Sequence, residues 1–423
     1  MKDFSRRSFI KIAGGAAAAS AVGFPAILNA AGSKKVVVVG GGVGGATAAK
    51  YIRMGDSSID VTLIEPNTEY YTCFMSNEVL GGNREMSSIR VGYDGLRAHG
   101  VNVVHDMVTT IDGGKVMTAG GKTFEYDRCV VAPGISFKNN IEGYDEAAME
   151  KMPHAWKAGA QTVNLRKQLT AMKDGDVFVI APPPNPFRCP PGPYERVCQV
   201  AGYFKKHKPK SKVLILDKKD KFSKMGLFTQ AFDRHYKGLI EFVPAKDSGG
   251  GVVSVDAGAN TLKLGNGETV KAGVANVIPA QQAGTVALKN GLAPDGWCPI
   301  DGKTFESTLK PNVHVIGDAS IASPLPKSGY AANSEAKVCA AAIVDLLNGR
   351  EPGAPSLVNT CYSVVADGDG ISVAMVYDLK DGKLSKVKGS GGLTPMDSSM
   401  ASRAREQQYA YSWFENIKRD SWG

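Results

Sequence analysis

The stretch KKVVVVGGGVGGATAAKYIRMGDSSIDVTLIEPN, residues 34–67, constrains the fold more than any other part of the chain. A run of β-branched residues ends in Gly40-x-Gly42-x-x-Gly45, an alanine-rich helical segment follows, and a second apolar strand closes on Glu65. The spacing is that of a strand–turn–helix–strand unit. Glycines let the turn tighten, let backbone approach a pyrophosphate and let helix pack on strand, while the helix N-terminus offers oriented N–H groups to phosphate. Glu65, twenty residues past Gly45, stands where an acid bonds ribose hydroxyls.

Two later stretches extend this reading from a nucleotide to a flavin dinucleotide. CVVAPG, Cys129 to Gly134, resembles the short crossover motif of flavoproteins with two dinucleotide domains. STLKPNVHVIGDAS sets Gly317 and Asp318 at the end of another short apolar strand, ahead of the helix-like GYAANSEAKVCAAAIVDLLNG. In those flavoproteins the matching aspartate bonds the ribityl chain. The expected cofactor is FAD, with Gly40, Gly42, Gly45, Glu65, Gly134, Gly317 and Asp318 as binding residues.

A second unit of the same outline begins at VFVIAPPPNPFRCPPGPYERVCQVAGYFKK, residues 177–206, and runs on to KVLILDKK. Where glycines would cradle a second pyrophosphate it carries prolines, which remove N–H donors and fix φ. A nicotinamide nucleotide is therefore not expected there, which argues against an NAD(P)H-dependent disulfide reductase. Cys189 lies just past this turn, and Cys361 lies in SLVNTCYSVV near the C-terminus. Taken from the residues alone, the two are open to a redox disulfide against the flavin, a structural disulfide, or two packed thiols.

The N-terminus reads as an export signal. SRRSFIKIAGGAAAASAVGFPAILNA has paired Arg6 and Arg7, a weakly apolar middle and a small-residue end at Ala30, resembling a twin-arginine leader. Its middle is short and glycine-rich for a membrane span. Such leaders export folded, often cofactor-loaded proteins, so a periplasmic protein beginning near Ala31 is expected. The net charge is +9, and residues 1–30 carry four basic groups against Asp3, leaving about +6 for the rest. That excess is thinly spread with no interleaved aromatics, which argues against nucleic-acid binding. Seven cysteines are present, with neither C-x-x-C nor C-x-x-C-H among them. The chain is thus expected to hold no metal site and no haem of its own. Cys129 and Cys339 read as core thiols, and Cys198 and Cys298 carry no evident role.

YYTCFMSNEVLGG, FRCPPGPYERVCQVAGYFK and NTCYSVV, together with the leader, resemble the flavoprotein subunit of flavocytochrome c sulfide dehydrogenase over essentially the whole chain. The sulfide:quinone oxidoreductases are more distantly similar. The resemblance implies that Cys73, eight residues beyond Glu65, carries FAD through a thioether. It implies that Cys189 and Cys361 are the redox pair receiving sulfide, and that Glu195 is the adjacent acid–base group. It also implies a separate c-type cytochrome subunit as electron acceptor.

The expected fold is α/β, with two Rossmann-like dinucleotide-binding domains of the disulfide-reductase flavoprotein type and a C-terminal α+β interface segment. Residues 1–30 would be the leader, 31–145 with 272–350 the FAD domain, 146–271 the degenerate second domain, and 351–423 the interface segment. The alternatives are a sulfide:quinone oxidoreductase and a flavin relay subunit without substrate chemistry. The stripe Ala410, Trp413, Phe414, Ile417 gives one narrow helical face, better suited to packing on protein than to stable insertion in a membrane.

Overall fold

Alternation along one strand explains how the first half of the molecule is layered. A computed structural model describes residues 33–423; the leader read at 1–30 lies outside the described residues. In the strand Lys35–Val39, Val36 and Val38 join one apolar cluster and Val37 and Val39 another. A strand buried on both faces has helices or a second sheet on either side. Here the helices Val43–Gly55 and Gly329–Leu347 cover one face, and the antiparallel meander of Val108–Asp112, Lys115–Thr118 and Thr123–Glu125 covers the other. Small residues (Ala46, Ala49, Ala332, Ala336, Ala340) line the two helices and let them pack closely on each other.

The sheet itself is parallel and five-stranded, in the order Val313–Val315, Arg128–Val131, Lys35–Val39, Asp60–Ile64, Asn102–Val104. A one-residue slip would exchange the two apolar faces, so the register Val36↔Val61 and Val36↔Arg128 is held by burial on both sides. The strand ends at Gly40, Glu65, Ala132 and Ile316 open on the same carboxyl edge.

The second sheet is parallel and four-stranded, in the order Ile240–Val243, Lys212–Leu216, Val177–Ala181, Val274–Val277. Helix Gly192–His207 follows the proline turn and packs back on this sheet. The antiparallel pair Ile135–Phe137 with Gln281–Ala283 lies on the two connections that lead from one sheet to the other.

The C-terminal part is a long hairpin, Ser356–Ala366 with Asp369–Lys380, then two short strands and the helix Met400–Trp422. Asp369 at the hairpin tip is fully buried and accepts from His235 at 2.8 Å and Arg234 at 3.0 Å. That anchors the tip on helix Met225–His235. Ala410, Phe414 and Ile417 are buried against protein and Trp413 partly so. Among the described residues no helix is long and apolar enough to cross a membrane. The residues Lys34–Gly423 make one unit.

Candidate active site

The first glycine loop is closed to side chains at Gly40, Gly41 and Gly45, whereas Gly42 has room for a Cβ, 3.6 Å from the Tyr70 ring. A Cβ on Gly45 would fall 1.9 Å from the Gly40 carbonyl oxygen, and one on Gly40, at φ +100°, would fall 2.4 Å from that of Ala132. The CVVAPG segment is thus the wall against which the loop turns. Gly41, which the motif spacing leaves unassigned, is equally constrained: its Cβ would meet the Tyr93 hydroxyl at 2.6 Å and Glu65 Cγ at 2.9 Å. Gly42 caps helix Val43–Gly55 without any side-chain partner for the first-turn N–H groups. Those donors are orphaned by helix geometry and point at the loop. Glu65 accepts the Gly41 N–H at 2.9 Å and the Asn67 backbone and side-chain amides at 3.0 and 2.7 Å. The buried Tyr93 hydroxyl has no partner. A loop closed to a Cβ at Gly40, Gly41 and Gly45, unused helix donors and an orphaned hydroxyl fit a dinucleotide pyrophosphate and ribose.

Two further residues expected at the site, Cys73 and Asp318, are joined through Arg188. Cys73 accepts from the Arg188 guanidinium at 2.9 Å, and Arg188 faces Asp318 at 3.7 Å. Arg188 also donates to the Trp156 carbonyl. Burial works against the Arg188 charge, but Cys73, Asp318, Tyr70 and Cys189 more than offset it, and its pKa is raised. Gly317, at φ +73°, donates its N–H to Glu335 at 2.6 Å. Gly134 takes φ +63° as the chain leaves the CVVAPG strand.

The second turn is filled by protein. Asp217, at the end of strand Lys212–Leu216, occupies the position where an acid would hold a ribose. It is fully buried and engaged by the Tyr194 hydroxyl at 2.5 Å and the Lys219 ammonium at 2.6 Å. Tyr194 stacks on Phe222 with ring centroids 3.5 Å apart, and Lys219 lies over the Phe187 ring and donates to the Pro183 carbonyl. The acid at the end of this strand is thus already engaged by Tyr194 and Lys219.

Beyond that turn Cys189 is held in a left-handed conformation, φ +55°, which disfavours an L-residue by roughly 1–3 kcal/mol. Its N–H donates to the Lys327 carbonyl at 2.7 Å and its carbonyl accepts from Gly192 at 2.8 Å. A Cβ on Gly192 would strike both Cys189 Sγ and Trp156, so the helix start must be glycine for the sulfur to sit there. Glu195, one turn into the helix, accepts from Asn77 at 2.8 Å and from the Val364 N–H at 2.9 Å. The second bond ties the Cys189 helix to the strand carrying Cys361.

Lys224 completes the cluster and has no motif to announce it. It is 6% exposed, and its ammonium donates to the Cys361 carbonyl at 3.1 Å and to Ser363 Oγ at 2.8 Å. Burial pushes Cys189 up, with the charges of Cys361 and Glu195 adding to it and Lys224 opposing. Burial likewise raises Cys361, and there Lys224 is the largest opposing influence. Glu195 is raised by burial against the pull of Asn77, Val364 and Lys224. Lys224 is lowered by burial, with Cys361, Glu195 and Cys189 supporting its charge. Cys189, Cys361, Glu195 and Lys224 therefore form one electrostatic unit. All seven cysteines are free thiols in this structure. Cys129, Cys198, Cys298 and Cys339 are buried in the core, and burial raises each of them.

Residues 162–279 match the central region of the sulfide dehydrogenase [flavocytochrome c] flavoprotein chain, and 353–422 match the flavin-binding region of flavocytochrome c sulphide dehydrogenase. A sequence from Chlorobaculum thiosulfatiphilum, the flavoprotein chain of its flavocytochrome c sulfide dehydrogenase, is 62% identical over 48 residues, covering 100% of that sequence and 11% of this chain. The chain belongs to the flavoprotein chains of flavocytochrome c sulfide dehydrogenase. Residues 34–180 of this flavoprotein match the pyridine nucleotide-disulphide oxidoreductases, and 3–23 match the twin-arginine translocation signal, which directs it to the periplasm.

Solved structures share its fold. The sulfide:quinone oxidoreductase of Aquifex aeolicus superposes with a TM-score of 0.72 at 17% identity over 92% of both chains. Putidaredoxin reductase, from its covalent complex with putidaredoxin, gives 0.65 at 15% identity over 90% of this chain and 93% of that one. The NDH2 of Plasmodium falciparum, solved with NADH, gives 0.65 at 12% identity over 92% and 97%. At such identities the likeness is one of fold. The chain is an FAD flavoprotein of the oxidoreductase class.

Proposed function

We propose that this chain is the sulfide-oxidising subunit of a periplasmic complex, in which Cys189 and Cys361 form the redox pair, FAD is tethered at Cys73, and a c-type cytochrome accepts the electrons. The single observation that supports it is the meeting of the Cys189 turn and the Cys361 strand on one charged cluster with Glu195 and Lys224. Gly40, Gly42 and Gly45 would seat the pyrophosphate, Glu65 the ribose, and Gly317 with Asp318 the ribityl end. Gly134 would close the crossover. Bound FAD would supply a two-electron acceptor able to release electrons singly.

The chain's own groups do the rest. Hydrosulfide attacks the disulfide of the pair, leaving a persulfide on one cysteine and a thiolate on the other. The Glu195 carboxyl takes up and returns the proton, and Lys224 holds negative charge at sulfur. The side chains packed around Asp217 in the second turn argue against NADH as the reductant, which supports the dithiol as the entry point for electrons. In terms of domains, residues 31–145 and 272–350 would carry FAD, 146–271 the degenerate fold, and 351–423 the segment that delivers Cys361.

Two measurements test the reading. A Cys189→Ser chain should lose sulfide-dependent reduction of cytochrome c, and normal turnover by that variant would sink the scheme. Acid denaturation should leave yellow colour with the precipitated wild type and release it from Cys73→Ala; colour in the wild-type supernatant removes the tether.

A further inference from the structure

The dithiol is chemically symmetric, but its surroundings are not. Lys224 bonds to the Cys361 carbonyl and to Ser363 two residues on, and makes no hydrogen bond to the Cys189 turn. The ammonium is held by these bonds and by burial at 6% exposure, at the start of helix Met225–His235. The charged or titratable groups facing it are Cys361, Glu195, Cys189 and Glu406. Those facing Cys361 are Lys224, Glu195 and Cys189. A cation fixed in a low-dielectric site stabilises the nearer anion, and the better-stabilised thiolate is the better leaving group.

We propose that Lys224 makes Cys361 the leaving thiolate of the pair, so that incoming hydrosulfide is captured on Cys189. The inference rests on the dithiol reading above. The sulfur of HS⁻ bonds to Cys189 Sγ as the S–S bond breaks, and the electron pair of that bond departs on Cys361 Sγ. The products are a Cys189 persulfide, which keeps the proton, and a Cys361 thiolate. One negative charge enters and one remains, and the disulfide takes up the two electrons that sulfide loses. Lys224 acts through charge and through the Cys361 backbone, which makes it a positioning residue.

The test is alkylation of the reduced full-length holoprotein by iodoacetamide as a function of pH, read peptide by peptide in a mass spectrometer. Cys361 should react at lower pH than Cys189 in the wild type. Lys224→Met should move the Cys361 profile up by about one pH unit, about tenfold slower at neutral pH, with a smaller effect on Cys189. Lys224→Gln, which keeps donors to the Cys361 carbonyl and Ser363 without the charge, should do the same, and Lys224→Arg should restore it. Unchanged profiles, equal shifts at both cysteines, or failure of Lys224→Arg to rescue would overturn the proposal. Sulfide added to the oxidised protein should leave its extra sulfur on the Cys189 peptide, and sulfur on the Cys361 peptide reverses the order. Full turnover by Cys189→Ser removes the dithiol reading and the capture order with it, whereas the alkylation profiles judge the Lys224 effect separately.

Discussion

The Glu195 carboxylate accepts the Val364 backbone N–H at 2.9 Å. Val364 lies three residues past Cys361 and Glu195 six past Cys189, so this bond couples the two cysteine-bearing segments. The other carboxylate oxygen takes the Asn77 amide, whose own carbonyl accepts from Arg196 at 3.0 Å. Glu195→Gln would therefore set two amide NH2 groups against each other. Sulfide oxidation should fall about 10²-fold, the usual worth of a positioned acid–base group. Burial raises the Glu195 pKa, so the wild-type acid limb should sit above the ordinary carboxylate range and disappear in the variant. A wild-type rate and pH profile in Glu195→Gln would assign the residue a purely structural role.

At Gly45 the constraint is steric. An alanine Cβ would lie 1.9 Å from the Gly40 carbonyl, a backbone atom that cannot turn aside. Gly45→Ala should lower stability by at least about 2 kcal/mol and yield protein without flavin absorbance. Urea unfolding and the visible spectrum check both. A variant that keeps stoichiometric flavin would show that the loop opens more easily than its packing implies.

The glycine loop, Glu65, Gly317 with Asp318 and the proline-filled second turn were legible as candidates because each is a local signal: a turn chemistry next to an apolar run. Cys189 and Cys361 were legible as candidates, but their meeting depends on a hairpin tip anchored by Asp369 on Arg234 and His235, which no local pattern announces. Lys224 was missed for the same reason. It sits in an unremarkable SKMG sequence and gains its meaning only when strand Ser356–Ala366 is laid across it. Arg188, Glu335 and Trp422 also reach the site through long-range contacts. Even Arg188, next to Cys189 in the chain, gains its role only from the fold, which sets it against Cys73 and Asp318.

Glu335 is one such residue, and it predicts a pH dependence. It is 3% exposed, and one oxygen accepts from Gly317 at 2.6 Å and Ser320 Oγ at 3.3 Å. Burial nonetheless raises its pKa from 4.5 to about 8, with Asp318 adding to the shift. The fold thus favours the protonated acid. Its contribution to stability is complete below the unfolded pKa near 4.5 and is lost as pH rises through about 8. The urea midpoint of the wild type should decline across that window. Glu335→Gln keeps an acceptor for Gly317 without a titrating group, and its midpoint should decline less. Parallel curves for the two proteins would place the titration elsewhere.

Trp422, the penultimate residue, closes the first nucleotide loop from outside. Its indole N–H donates to the Gly41 carbonyl at 3.0 Å, its ring stacks on Tyr70 at 5.3 Å, and it is 3% exposed. The surrounding contacts repeat the same clasp: Lys50 donates to the Arg419 carbonyl at 3.0 Å, and Asn333 to Asp420 at 2.7 Å. The C-terminal helix is therefore a brace for the glycine turn. Trp422→Ala should cost about 3–5 kcal/mol, the range for deleting a buried aromatic. Trp422→Phe keeps an apolar ring and loses the hydrogen bond, for about 1 kcal/mol. Flavin content on purification should fall in the same order, wild type above Phe above Ala. Full flavin occupancy and an unchanged unfolding midpoint in Trp422→Ala would show that the loop holds its shape without the helix.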